Sequence, residues 1–159
     1  MKVELKDARE TGRSRSVLRR LFPMYVHDLS PHTGYYKLDE RGRWRPELWR
    51  DWLSFETLEP WLFQVAGEVV GFSIVGKQPF PYMSVDRDFK VCEFFILAGW
   101  RRRGVGGVAA RRVLGLHSGR WELTVLPGNV GALGFWKRVL GRDVEEIMTP
   151  GEVVFRFGG

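Results

Sequence analysis

The chain has 159 residues, 44% hydrophobic and 28% charged, which is the make-up of a soluble globular protein the size of one domain. No apolar run approaches the roughly 18–20 residues that span a bilayer, and the opening MKVELKDARE lacks the apolar centre of a secretory signal. The single cysteine, Cys92, excludes an internal disulfide and zinc-ligand spacing, and the net charge of +6 admits an anionic partner. A single cytoplasmic domain over residues 1–159, with no membrane partner and no metal, is the expectation.

A short first strand is expected within MKVEL. Over Arg13–Leu29, Val17, Leu18, Leu21, Met24 and Tyr25 recur at helical spacing, and Pro23 among them predicts a kink or break. Ser30–Asp39 is loop-like, Asp39–Gly42 (DERG) is a turn signal, and Pro46–Leu53 reads as a second short helix with Pro46 at its first position. In Trp61–Gly76 two apolar runs flank Ala66-Gly67-Glu68, the pattern of a hairpin. Phe89–Leu97 (FKVCEFFIL) is almost unbroken in apolarity, which suits a central strand covered on both faces.

A helix from Gly104 to about His117 follows, with Val105, Val108, Ala109, Val113 and Leu116 on one face and Gly119 as its stop. Trp121–Leu126 is another strand. The last helix takes Asn129 as N-cap, buries Ala132, Trp136, Val139 and Leu140, and ends at Gly141. Asp143–Met148 and Val153–Phe157, joined by a turn at Thr149–Glu152, form a closing hairpin. The whole is an α+β domain around one sheet.

Chemistry concentrates in Gly99–Leu114, GWRRRGVGGVAARRVL. Six arginines lie between Arg101 and Arg120, beside three glycines that open a helix. Gly104-x-Gly106-x-x-Ala109 satisfies a loose dinucleotide fingerprint, but Ala98–Arg103 separates it from the strand, and too little chain follows for the usual βαβ array. A phosphate-binding P-loop is excluded because no Lys-Ser or Lys-Thr pair follows the glycines. Nucleic-acid binding through Arg101–Arg103 and Arg111–Arg112 finds no supporting recognition pattern, so no nucleic-acid partner is expected. A strand, a basic glycine turn and a helix N-terminus together present unpaired backbone N–H groups to an anion such as a pyrophosphate.

Arg101–Gly106 (RRRGVG) resembles the R/Q-x-x-G-x-G/A motif of the GCN5-related N-acetyltransferases. Asn129–Gly141 is similar to that family's N-x-x-A-x-x-F-Y-x-x-x-G element, with Asn129, Ala132 and Phe135 in register and Gly141 one residue beyond the motif's glycine, and Gly71 falls where a hairpin glycine is usual. The resemblance runs from about Trp61 to Phe157. It implies a mixed, mostly antiparallel sheet flanked by helices, splayed between the strands ending at Leu97 and Leu126. It further implies acetyl-coenzyme A as acyl donor. Its pyrophosphate would lie on Arg101, Arg102, Arg103, Gly104, Val105, Gly106 and Gly107, and its pantetheine arm along free backbone groups of Ile96, Leu97 and Ala98. Asn129 and Trp136 would complete the donor site.

The implied reaction is direct attack of a primary amine on the thioester. Glu93, the one carboxylate in its strand, is the candidate general base, since burial raises a carboxyl pKa toward the useful range. Its neighbour Cys92 is expected on the opposite face as core packing. Trp136 stands where many members carry the tyrosine that protonates the leaving thiolate, so the acid is unassigned. That departure keeps a non-catalytic acyl-CoA-binding module as the alternative. His117, near a helix end, reads as a dipole partner. The acceptor, a small molecule or peptide amine, is expected to meet Asp28, Asp39 and Glu40 around the first helices, and a homodimer is compatible with the sequence.

Overall fold

The computed structural model describes residues 1–34, 36–44 and 54–158. Seven strands form one sheet: β1 (Glu4–Asp7), β2 (Leu58–Val65), β3 (Glu68–Lys77), β4 (Phe89–Ile96), β5 (Arg120–Val125), β6 (Glu145–Met148) and β7 (Val153–Gly158). Their spatial order is β1-β2-β3-β4-β5-β7-β6. Every neighbouring pair is antiparallel except β4–β5, which is parallel. The α-helices among the described residues are α1 (Gly12–Leu29), α2 (Val105–Leu114) and α3 (Val130–Leu140), with short 3-10 turns at Ser30–His32 and Ala98–Trp100. The expected mixed, mostly antiparallel sheet with flanking helices is the fold. The expected helix at Pro46–Leu53 lies outside the described residues.

Each hairpin follows from local chemistry. Ala66 and Gly67 both have positive φ (50° and 83°), the two-residue turn whose twist matches paired strands. Thr149 and Glu152 close the last hairpin through their backbone bond of 2.9 Å. β4 is central, as its apolarity predicts, and its side chains feed two apolar clusters. Val91, Phe94 and Ile96 join Val105, Ala109, Val113 and Trp136 of α2 and α3. Cys92 and Phe95 join Leu18, Phe22 and Val26 of α1.

Three local expectations are corrected. Pro23 does not break α1, which runs unbroken through it. Its buried stripe, Leu18, Leu21, Phe22 and Val26, continues across the proline, so packing outweighs the single lost backbone bond. α2 ends at Gly115 rather than Gly119; the Gly115 N–H bonds back to Arg111 O at 3.0 Å. Cys92 does not face away from Glu93. The β3–β4 register passes from Ile74–Glu93 to Val75–Val91, so Cys92 is the extra residue of a β-bulge. The bulge cancels the alternation there and turns Cys92 toward the α1 cluster.

The bulge lies beside a second interruption. β4 and β5 pair only from Phe89–Trp121 to Val91–Leu123, after which both strands continue without pairing each other. The sheet therefore opens between them, as the family resemblance implies. No described helix is long and apolar enough to cross a membrane.

Candidate active site

The opening between β4 and β5 holds a cleft with two limbs. The inner limb, about 440 Å³, lies between Val91–Phe94 and Leu123–Leu126, with Tyr25, Tyr36 and Glu152 around it. The outer limb, about 830 Å³, runs past Phe94–Ile96 to the first turns of α2 and α3. Tyr25, Leu29, Phe94, Asn129, Ala132 and Trp136 line both, so the limbs form one passage.

Glu93 lines the inner limb and accepts a hydrogen bond from the Tyr25 hydroxyl. Burial pushes its pKa up to about 7, against the opposing pulls of the Tyr25 bond and the Lys90 charge. Tyr25 is driven well above the usual phenol range, first by burial and then by the Glu93 charge, so it stays a donor. Burial likewise pushes the Cys92 thiol up to about 12, which leaves no thiolate at neutral pH.

At the outer limb the chain turns sharply. Arg102 (φ 59°) and Gly104 (φ 82°) both occupy the left-handed region, which a non-glycine residue rarely enters. Gly104 caps α2 without a side chain, so no capping group satisfies the first helical amides, Val105 to Gly107. α3 differs, because Asn129 Oδ1 accepts from Ala132 N–H at 3.1 Å. An uncapped helix N-terminus in a basic cleft suits an anion.

The three glycines do different jobs. Gly104 supplies the positive φ. A Cβ on Gly106 would stand 3.2 Å from the Phe135 ring, so this glycine lets α2 approach α3. A Cβ on Gly107 would meet the Arg111 guanidinium at 3.5 Å.

The structure gathers Ile96, Arg101, Arg102, Gly104, Gly106, Gly107, Asn129 and Trp136 around the outer limb. Leu97, Ala98, Arg103 and Val105 do not line it. Val105 is buried in the core, and the Arg103 guanidinium lies 4.9 Å over the Trp100 ring. The backbone groups expected to be free near Ile96 are partly used: Ile96 O accepts from Arg101 Nε at 2.7 Å, and Leu97 N–H bonds Val70 O at 2.9 Å. Arg101 is also paired with Asp28 and sits 5.5 Å over the Phe95 ring, so it braces the turn against α1. Trp136 is buried, edge-on to Phe94 and Phe135, and forms a wall of the cleft.

Of the carboxylates expected to meet the acceptor, Asp28 lines the outer limb, and Asp39 and Glu40 line neither limb. Asp28 is engaged by Arg101, and Asp39 accepts from the Arg41 and Arg43 amides within its own turn, both at 2.9 Å. Glu40 is exposed and lines neither limb. Glu152, from the closing hairpin, lines the inner limb instead. His117 is not a helix-dipole partner: its Nε2 lies 2.7 Å from Glu59 Oε2 and its ring stacks 4.5 Å from Phe89. Sequence reasoning missed Tyr25, His32, Arg111 and Arg138 as lining residues of this cleft; the helical spacing of Tyr25 and the place of Arg111 in the basic segment were the signals. Among the described residues, no group of three His, Cys, Asp or Glu side chains converges to hold a metal.

Similarity to known proteins agrees with this geometry. The acetyltransferase (GNAT) family pattern matches residues 22–141. No curated protein matches the chain in sequence. An acetyltransferase from Thermus thermophilus superposes with a TM-score of 0.67 at 19% identity, over 99% of this chain and 97% of that one. Arabidopsis thaliana NAA60, in complex with a bisubstrate analogue, gives a TM-score of 0.61 at 16% identity over 99% of both chains. A GNAT family acetyltransferase from Elizabethkingia anophelis with acetyl-CoA bound gives 0.52 at 14% identity, over 72% of this chain and 83% of that one. With an open β4–β5 seam, an uncapped glycine turn at its mouth and a family match over most of its length, the chain belongs to the acetyltransferase (GNAT) family.

Proposed function

We propose that the protein is an N-acetyltransferase that moves an acetyl group from acetyl-coenzyme A to a primary amine by direct attack in a ternary complex. The observation that carries this reading is a single passage with an uncapped helix N-terminus at one end and a raised-pKa carboxyl at the other. The residues fit the donor. The α2 amides and Arg102 suit a pyrophosphate, and the unpaired stretch of β4 suits an extended arm that pairs like a strand. When bound, acetyl-coenzyme A supplies a thioester carbonyl that an amine can attack.

Glu93, with its pKa of about 7, is ionised in part at neutral pH and accepts the proton that the attacking nitrogen sheds. Tyr25 orients the carboxylate through its hydroxyl. Backbone N–H groups of β4 beyond Val91, where pairing with β5 has ended, polarise the carbonyl. The new C–N bond forms as the C–S bond breaks. A coenzyme thiol with a pKa of about 8.5 leaves without a dedicated acid, which reconciles the reaction with Trp136.

The described lining of the inner limb contains Glu93 and Glu152 but no Lys, Arg or His. That charge favours a cationic amine without a carboxylate beside it. The test is release of free thiol from acetyl-coenzyme A across a panel of amines, with amino acids and their amides compared. Release with amines, faster for amides than for the free acids, is expected. Tight coenzyme binding with no release for any amine would replace this reading by the non-catalytic binder.

A further inference from the structure

The described lining of the inner limb includes two carboxylates in different surroundings. Glu93 of β4 accepts from the Tyr25 hydroxyl, whereas the Glu152 carboxylate has no hydrogen bond or ion pair with another described residue. The Glu152 backbone is nonetheless fixed. Its N–H donates to Thr149 Oγ1 at 3.2 Å, and its carbonyl accepts from the Thr149 N–H at 2.9 Å and from Thr149 Oγ1 at 3.0 Å. Phe94 of β4, Leu123 and Val125 of β5, and Val153 and Phe155 of β7 all join the cluster against α2 and α3. Alternation therefore turns Glu93, Thr124 and Glu152 to the α1 face, where all three line the inner limb.

Two carboxylates with no cation among that lining call for a positively charged ligand. The reacting nitrogen does not meet that need. A lysine-like amine, with a pKa of about 10.4, must lose a proton before it attacks, and it ends as a neutral amide. Glu93 takes that proton in the reaction proposed above, which leaves Glu152 facing the limb with no part in the step. A lasting positive charge for Glu152 has to sit on a second nitrogen of the same acceptor.

β5 separates the two residues, so their backbones lie at least two strand spacings apart, about 10 Å. With about 2.8 Å for a charge-assisted contact at each end and about 1.2 Å per extended bond, about three to five carbons join the two nitrogens. Leu29, Val91, Leu123 and Leu126 supply apolar wall, which suits methylenes better than a sugar ring. We propose that the acceptor is an aliphatic diamine whose spare ammonium group pairs with Glu152 while its other nitrogen takes the acetyl group. The assignment rests on the acetyl-transfer reading above and makes Glu152 a specificity-determining residue. The attacking nitrogen forms the C–N bond and gives its proton to Glu93. The C–S bond breaks, the thiolate leaves with its electron pair, and the ammonium group on Glu152 is unchanged.

The test is thiol release from acetyl-coenzyme A by the full chain, at one pH and low ionic strength. The acceptors are diaminobutane, butylamine and aminopentanoate, the first and last with their two groups at opposite ends. The native protein is expected to prefer diaminobutane over butylamine by about five- to thirtyfold in kcat/KM, mainly through KM, with aminopentanoate the poorest. Added salt should shrink that preference. Glu152→Gln should remove most of it, and Glu152→Asp should keep part. Glu152→Lys should reverse the order, so that aminopentanoate is used better than diaminobutane. Position 152 is exposed, so melting temperatures measured alongside should hold. Equal native rates with diaminobutane and butylamine, or a diamine preference that survives both Glu152→Gln and Glu152→Lys, would overturn the proposal while leaving acetyl transfer intact. Coenzyme binding with no thiol release for any of these amines would overturn the acetyl-transfer reading and this proposal with it.

Discussion

The Tyr25 hydroxyl donates its hydrogen bond to the Glu93 carboxylate, joining α1 to β4 across 68 residues of chain. That bond favours the ionised carboxyl and works against burial, which pushes the Glu93 pKa up to about 7. Tyr25→Phe removes the pull and keeps the ring packed on Phe72 and Phe95. The Glu93 pKa should then rise further above about 7, because the one bond that favours the ionised carboxyl is gone. The pH–rate curve should move to higher pH with it, so that activity is lost at pH 7 and recovered as pH rises. A curve that keeps its midpoint would detach Tyr25 from the base.

Glu93→Gln should lower turnover at neutral pH by about 10²–10⁴-fold and leave coenzyme affinity nearly unchanged. Stability gives an independent readout. A carboxyl raised in the folded state contributes stability that is present below its unfolded value of 4.5 and is lost as pH rises through about 7. Relative to the native protein, the glutamine variant should therefore gain stability between pH 5 and pH 8, on the order of 1–3 kcal/mol. Melting temperatures of both proteins across that range check the sign.

Gly106→Glu should abolish coenzyme binding and also lower the melting temperature. The glycine abuts the Phe135 ring, 3.2 Å from where a Cβ would sit, so a side chain here requires that ring to give way by a few tenths of an ångström, and a glutamate by more. Overpacking of this kind costs about 1–3 kcal/mol. Gly107→Ala meets just the movable end of Arg111 and should leave stability nearly unchanged. Thermal melts of the two variants, with and without acetyl-coenzyme A, separate packing from ligand effects.

Arg101→Ala should hurt stability more than affinity, contrary to what the motif alone implies. Its guanidinium bonds Ile96 O at 2.7 Å and pairs with Asp28, so it ties the turn to β4 and α1. Arg102→Ala should do the reverse, since Arg102 is exposed and lines the cleft. Dissociation constants and melting temperatures measured side by side for the two variants give the comparison.

What the sequence revealed follows the range of the physics involved. Caps, hairpins and glycine turns are written within a few neighbouring residues, so Asn129, Ala66-Gly67 and Gly104 were legible. The bulge at Cys92 depends on the register of a partner strand, and period-two alternation could not foresee it. The Asp28–Arg101 pair spans 73 residues, and no local spacing encodes it. Separation in sequence likewise hid Glu152 behind a turn motif at the far end of the chain, where nothing marked it as lining the same limb as Glu93. Pro23 misled for the opposite reason, because its local penalty is real but is outweighed by the helix face it interrupts.

Just three residue pairs join β4 to β5, so few backbone bonds tie together two units of the sheet that one apolar cluster spans. One unit is β1–β4 with α1; the other is β5–β7, reached through the α2 crossover. Opening at that join exposes few backbone bonds, so amides on either side of it should exchange with solvent well before those inside β2–β3 or β5–β7. A ligand laid along the seam would bind both units at once and should slow exchange in each of them together. Acetyl-coenzyme A would then act as a structural staple as well as a reactant, and the apo protein would be the more readily cleaved by protease.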